Sequence, residues 1–487
     1  MIVPDWLARQ AAARPEHPAL EIDGARVTFH ALAAGVDHLA RRLCGRGARV
    51  ATLLPNGLAL VELVHAVPRA GGALVLLDPR LTPAEAARQA AHARADLVVG
   101  DGEAAAVARA AGAAHLTPAA LADLPPAPRG PEPVLDLDAP HTIVFTSGTS
   151  GVPRPVTLTA ANHFWSAAGS MARLGVERDD RWLACLPLTH VGGLAVLLRS
   201  AIAGTTVVLH RRFDAAAVAR ALVEDRITMV SLVPTMLARV LDRLDGRPPA
   251  LRCVLLGGAG APPALLAAAR ARGLPVAPTY GLTEAASQVA TLAPDEPADE
   301  PGEVGAPLWP TEVRVGPEGE ILVRGPTLAA GHLDPHGWLH TGDAGRLLPG
   351  GRLVVVGRRD DVIVTGGEKV DPAEVEAALL QHPGIAEAAV AGVPDPQWGQ
   401  AVAAWVVPRA GARPTLAELR DACRARLAPY KLPQRIALVD ALPRTASGKV
   451  RRAALREARE GPLSGGDARA GCAATTPGSS STGTRAR

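Results

Sequence analysis

Short β-branched or leucine-rich runs alternate with alanine-rich stretches through the first half of this chain, and that rhythm leaves few folds open. ARVATLLP, ALVLLDP and DLVVGD are separated by GLALVELVHAVPRAGG and TPAEAARQAAHARA. The pattern returns in TTVVLH, DAAAVARALVED, ITMVSLV, PTMLARVLDRL and LRCVLLGG. Strands alternating with helices of about 10–15 residues are βαβ units, so parallel sheets covered by helices are expected. From about residue 301 the texture changes. TEVRVGPEGEILVRGP and GRLLPGGRLVVVGRRDD read as short strands joined by Gly/Pro turns, hence antiparallel β structure.

After Asp361 a compact α+β pattern follows, with helices at DPAEVEAALLQHP and TLAELRDACRARLA and strands at AEAAVAGV and QAVAAWVVP. The prediction is an α/β protein with a large domain over 1–357, made of βαβ-type sheets plus a β-rich subdomain. A hinge at 358–361 then leads to a small, mobile α+β domain over 362–460. Residues 461–487 are Gly/Ser/Thr/Ala-rich with almost no large apolar side chain, the composition of a disordered tail.

A net charge of +3 over 487 residues argues against a general nucleic-acid binder, which carries a clustered basic excess. No apolar run approaches membrane-spanning length, and MIVPDWLARQ lacks the basic and apolar blocks of a signal peptide. The five cysteines are scattered without a CxxC pair, which argues against structural zinc and for a reduced, cytoplasmic setting. Of 51 cations only three are lysines, Lys369, Lys431 and Lys449, all in the predicted small domain.

Four segments carry candidate chemistry. In HTIVFTSGTSGVPRPVTLT an apolar strand runs into Thr146, Ser147, Gly148, Thr149, Ser150 and Gly151, followed by Arg154. Hydroxyls, approachable backbone amides and a cation on one loop suit a polyanion; a solvated turn is the equal alternative. In PTYGLTEAASQ, Tyr280 could stack on a base, Thr283 donate to a phosphate and Glu284 hold a hard cation, or the pair could simply open an exposed helix. HTGD and GRRDD offer Asp343 and Arg358, a pair able to grip ribose hydroxyls or to act as turn residues. Finally, PRTASGKVRR presents Lys449 on a loop, where a lysine is ordinarily solvated.

Taken in order, FTSGTSGVPRP, LLGGAGAP, PTYGLTE, HTGD, GRRDDVIVTGGEKVDPAEVE and LPRTASGK resemble the motif set of the adenylate-forming superfamily, which holds acyl-CoA synthetases, adenylation domains and luciferases. With LDPRLTPAEAA the resemblance spans essentially residues 5–456. It implies that Thr146 to Gly151 wrap the β- and γ-phosphates of ATP and that Gly257, Gly258, Ala259 and Gly260 border the adenine beside Tyr280. Thr283 would bond the α-phosphate, Glu284 would hold Mg²⁺, and Asp343 with Arg358 would take the ribose. Lys449 would serve adenylation, the small domain would turn about Asp360, and Gly366-Gly367 would then line the channel for CoA. The chain departs from the pattern at Arg154-Pro155, where lysine-glycine is usual. Arginine keeps the charge as a planar fork, and proline deletes an amide donor.

LACLPLTHVGGLAVLLRSAIAG adds His190 and, inside an apolar run, Arg199. A guanidinium there binds a carboxylate, or snorkels at a helix end ahead of Gly204. With NHFWSAAGSMARLGV, MVSLVPTML and GLTEAASQVATL, these segments resemble the superfamily's ligases for an aryl acid with two carboxylates. One carboxylate would be activated and the other held by Arg199 and Ser231, with Ser287 and Gln288 lining the pocket. His190 would gate the thiol channel, although Thr189 replaces the aromatic residue often found before it; a plain core or surface histidine is the alternative. A ligase for another aryl or short-chain acid, a stand-alone enzyme loading a carrier protein and a nucleotide-binding relic are the competing functions. Homo-oligomerisation stays open.

Overall fold

The computed structural model describes residues 1–128, 133–146, 153–294, 296–361, 363–365, 368–424, 427–444 and 450–457. The described residues form two compact units, the first from residue 1 to 361 together with Arg444 and Val450, the second from 363 to 443 together with 451–457, so the C-terminal part is not wholly one unit as the predicted 362–460 domain had it.

Two large sheets and their helices build the first unit. A six-stranded sheet runs in the order Arg154–Thr159, Pro140–Thr146, Ala73–Leu76, Arg49–Thr52, Leu97–Val99, Ala114–Leu116. All neighbours are parallel except the first pair, an antiparallel hairpin at the sheet edge. The expected βαβ alternation is therefore present, with Leu58–Arg69 and Pro83–His92 as crossover helices. The latter opens on a capping box between Thr82 and Glu85.

A thirteen-stranded sheet joins the predicted parallel and antiparallel regions into one surface. Its parallel part holds Thr206–Leu209, Arg181–Ala184, Met229–Leu232, Cys253–Leu256 and Val276–Leu282 side by side. Arg181–Ala184 is the switch point, because the next strand in sequence lies on one side of it and the one after on the other. Ligands of open α/β sheets bind outside the carboxyl ends of strands at such a crevice. Beyond Val276–Leu282 the sheet turns antiparallel, through Ser287–Thr291 and Glu303–Pro307 to the hairpins Glu312–Val315/Glu320–Arg324 and Leu339–Leu347/Leu353–Arg358.

The second unit is a five-stranded sheet built around the long hairpin Ile385–Asp395/Gly399–Pro408, with helices Pro372–Leu379 and Leu416–Arg424. Its own core gathers Ile363, Val375, Leu379, Val390, Val402, Val406, Leu419 and Ile436. Among the described residues no helix is long and apolar enough to cross a membrane.

Candidate active site

Because their strands run parallel, the chain segments after Ala184, Leu232, Leu256 and Leu282 all leave the sheet on one side. These exits lead to His190, Val233, the glycine segment and Thr283. After Leu256 the backbone passes so close to its neighbour that a Cβ at Gly257 would lie 2.6 Å from Thr279 Cγ2, and Gly258 follows at φ +81°. Ala259 continues that bend into Gly260.

Tyr280 lies inside the strand Val276–Leu282, rather than after a shorter one, because Ser287–Thr291 folds back and pairs with it. Its hydroxyl donates to Asp343 Oδ2 at 2.6 Å. Asp343 faces Arg358 across a two-strand ladder, with Arg358 Nε 3.2 Å from Asp343 Oδ1 and Arg358 Nη1 donating to the Thr341 carbonyl at 2.7 Å. Burial first, and then the Asp343 charge, push the Tyr280 hydroxyl well above its ordinary pKa, so it stays a donor. Three residues predicted from separate motifs thus meet at one point.

Thr283 and Glu284 sit on a single 3-10 turn, Thr283–Ala285, and the chain reverses through Ala286 at φ +51° and Ser287 at φ +116°. Ala329 N–H donates to the Glu284 carbonyl at 2.8 Å, fixing this turn, which is not the start of an exposed helix. Among the described residues no three carboxylates, histidines or cysteines cluster for a metal. Mg²⁺ is commonly held by one or two carboxylates and completed by substrate phosphates, and the half-buried Glu284 carboxylate is a donor of the kind such an ion would take.

The hairpin of the candidate phosphate loop is described only at its ends, where Arg154 pairs directly with Thr146. Pro155 falls on an edge strand, where a missing N–H is tolerated, and Arg154 is exposed. Ser147, Gly148, Thr149, Ser150, Gly151, Gly366, Gly367 and Lys449 lie outside the described residues, as does the side chain of Asp360.

Arg199 is 3% exposed within the helix Val191–Ala203, so it does not snorkel. Its guanidinium lies 4.9 Å from the centre of the Trp182 ring, and Trp182 Nε1 donates to Ser231 Oγ at 3.0 Å. Arg199 Nε and Nη2 find no hydrogen-bond partner among the described residues. Burial brings its pKa down to about 10, still charged at neutrality. The hydroxyls of Ser170 and Ser200 are likewise unpartnered there, and both line a small cavity with Arg199 and Trp182. Gln288 is buried, with Nε2 donating to Thr291 Oγ1 at 2.8 Å and Oε1 unpartnered among the described residues. Ser287 is half-buried at the left-handed turn.

His190 begins that same helix, with Nε2 3.5 Å from Asp78 Oδ2 and 3.4 Å from Arg80 Nη2. Asp78 and Arg80 were not assigned from the sequence. The LDPRLTPAE segment drew attention only as part of a motif, and nothing local to it signals a histidine more than a hundred positions away.

Residues 7–333 match the model of the AMP-binding enzyme, and residues 374–449 match the AMP-binding enzyme C-terminal domain. The chain belongs to the AMP-binding enzyme family. A 2-succinylbenzoate–CoA ligase of Bacillus cereus is 38% identical to it, over 93% of this chain and 98% of the relative. Another, from Geobacillus kaustophilus, is 40% identical over 93% and 97%. The o-succinylbenzoate CoA synthetase of Bacillus subtilis, solved with its acyl-adenylate intermediate, is 36% identical with a TM-score of 0.88, covering 95% of this chain and all of that one. The same enzyme with ATP and magnesium gives 36% and 0.86, over 94% and 99%.

Proposed function

We propose that this chain is an AMP-forming acid–thiol ligase that converts o-succinylbenzoate, ATP and CoA into o-succinylbenzoyl-CoA, AMP and pyrophosphate, for menaquinone synthesis. The observation that carries the choice of acid is Arg199, a buried guanidinium with nitrogens unpartnered among the described residues, lying over the Trp182 ring whose Nε1 donates to Ser231. A benzoate-type acid has no second carboxylate and leaves that charge unanswered. An acid with a carboxylate on its ring supplies the missing partner, and Ser231 and Gln288 offer further polar contacts.

In the first half-reaction the succinyl carboxylate attacks the α-phosphorus of ATP, and the bond to pyrophosphate breaks. Two anions must approach, so the residues around the phosphates supply positive charge and donors. Thr283 donates to the α-phosphate, the loop Thr146 to Gly151 with Arg154 cradles the outgoing pyrophosphate, and Lys449 brings its ammonium to the reacting oxygens. Glu284 holds Mg²⁺, which when bound neutralises phosphate charge. The Tyr280–Asp343–Arg358 group faces the adenosine, with Gly258 to Gly260 along the base.

In the second half-reaction the CoA sulfur, having lost its proton, attacks the acyl carbon and AMP leaves. A rotation about Asp360 withdraws Lys449 and brings in Gly366-Gly367, with His190 at the mouth of the thiol path. These roles make residues 1–357 the ATP- and acyl-binding domain, 358–361 the hinge and 362–460 the small domain. Among the described residues Cys44, Cys185 and Cys253 are free thiols, in keeping with the reduced, cytoplasmic setting we propose.

The test is AMP release with CoA and a panel of aryl and short-chain acids. Turnover with o-succinylbenzoate should exceed that with benzoate by orders of magnitude. Activity on simple benzoates alone would overturn the assignment of the acid.

A further inference from the structure

Glu320 opens the strand Glu320–Arg324, is 9% exposed, and has no place in the reaction described so far. The ladder between this strand and Leu339–Leu347 is irregular at Glu320, and the carboxylate meets the turn of the opposite strand. Its Oε1 accepts the Gly342 N–H at 3.0 Å. Its Oε2 lies 3.1 Å from His340 Nδ1 and accepts from Arg359 Nη1 at 3.0 Å.

These contacts reach both sides of the adenosine-facing pair. Gly342 precedes Asp343, adopts φ +69°, and a Cβ there would come within 3.1 Å of Arg358 Nη1. Arg359 follows Arg358 and is gripped a second time by Glu318 Oε2 at 2.5 Å. His340 Nε2 is 3.4 Å from Asp334 Oδ2, whose Oδ1 accepts the Trp338 N–H. One carboxylate therefore fixes the turn that carries Asp343 and the strand end that carries Arg358. Burial acts against its charge, but His340, the Gly342 amide and Arg359 together hold its pKa below the ordinary glutamate value.

We infer that Glu320 is a positioning residue for the nucleotide site, holding the Gly342 turn and Arg359 so that Asp343 and Arg358 face the ribose together. The inference rests on the ribose role proposed for that pair. Glu320→Gln keeps shape and one acceptor but removes the charge shared by His340 and Arg359. It should raise KM for ATP about tenfold, the scale of a lost charge-assisted hydrogen bond, with kcat and the KM for the acid within about twofold. Arg359→Ala should act in the same direction, and Arg359→Lys should recover most of the loss.

The His340 ring gives a second readout. Glu320, ahead of Asp334, raises its pKa in the native protein, and Glu320→Gln should bring its NMR titration back toward the ordinary range. Asp343→Asn separates the two ideas. If Asp343→Asn leaves the KM for ATP unchanged, the ribose reading fails and the positioning role with it. If Asp343→Asn raises it while Glu320→Gln and Arg359→Ala do not, only the positioning role is overturned. Equal rises in KM for ATP and acid in the Glu320 variant also overturn it, since they report a general structural defect. Should Glu320→Gln fail to fold, Arg359→Ala and its lysine rescue decide the matter.

Discussion

Removing a guanidinium from water without a counter-charge costs several kcal/mol, and stacking on the face of Trp182 returns only about 0.5–2 kcal/mol at Arg199. The free enzyme is therefore less stable than an isosteric apolar variant would be. Arg199→Met removes the charge and keeps most of the volume. It should raise the thermal midpoint by about 2–6 °C and raise the KM for o-succinylbenzoate at least ~30-fold, leaving the KM for ATP within about twofold. Differential scanning calorimetry and initial rates check both halves; a fall in midpoint would mean the guanidinium has a structural partner. A charge inside an apolar run made this residue conspicuous in the sequence, which left a carboxylate ligand and a snorkelling helix-end arginine both open; burial removes the second. Tyr280, Asp343 and Arg358 were legible through their motifs. Glu320 and Asp78 were not: each is one of 48 acidic residues, and what distinguishes them is a partner brought up by tertiary folding.

At the scale of elements, the strand pair Val276–Leu282 and Ser287–Thr291 does more than its local sequence suggests. LPVAPT reads as a strand that stops at Thr279, since the polar Thr-Tyr-Gly run breaks the apolar pattern. The strand continues because its antiparallel partner supplies hydrogen bonds past that point, with an irregularity between Tyr280 and Gly281. Gly281 is the residue that permits the return. A Cβ on it would fall 1.9 Å from the Ser287 carbonyl oxygen, a backbone atom that cannot move without shifting the whole turn. Gly281→Ala should therefore displace Thr283, Glu284 and Ser287 together. Adenylation, followed as pyrophosphate release, should fall by ~10²-fold or more, the scale of a lost transition-state donor. Stability should fall by about 1–3 kcal/mol, as for other overpacking substitutions. The reverse case is the hairpin at Thr146 and Arg154, whose edge position explains why proline is accommodated after Arg154. The sequence showed the departure there, and the sheet order supplies the reason it does no harm to the ladder.

For the molecule as a whole, the two units should respond to acid in opposite directions. In the first, His65, His141 and His163 are all at most 3% exposed. His141 lies 5.6 Å from Trp6 and 5.1 Å from His163, whose Nε2 meets Thr142 Oγ1 at 2.8 Å. Burial lowers the pKa of His65 to about 4 and of His163 to about 3, and holds His141 well below its ordinary value, with His163 and His65 adding to its shift. The unfolded chain takes up these protons near pH 6.5 and the folded unit does not, so stability falls as pH drops below about 6.5. Three such groups give a slope of up to ~4 kcal/mol per pH unit. His340, raised chiefly by Glu320, acts the other way, but it is largely solvent-screened and offsets little. Carboxylates with lowered values, such as Glu21 beside Arg181, lose their contribution only below about pH 4.5. In the second unit, burial and then Glu376 and Glu374 raise Asp371 to about 6. Its folded form binds a proton that the unfolded form binds only near 3.8, so that unit gains stability as pH falls through 6. Thermal melts taken from pH 7 to pH 5 should therefore move from overlapping to separated transitions, with the larger, first-unit transition falling. His163→Gln should flatten the fall of that transition, and Asp371→Asn should remove the gain in the other. A single transition whose midpoint holds steady between pH 7 and pH 5 would mean that the buried histidines are reached by water or protons without unfolding.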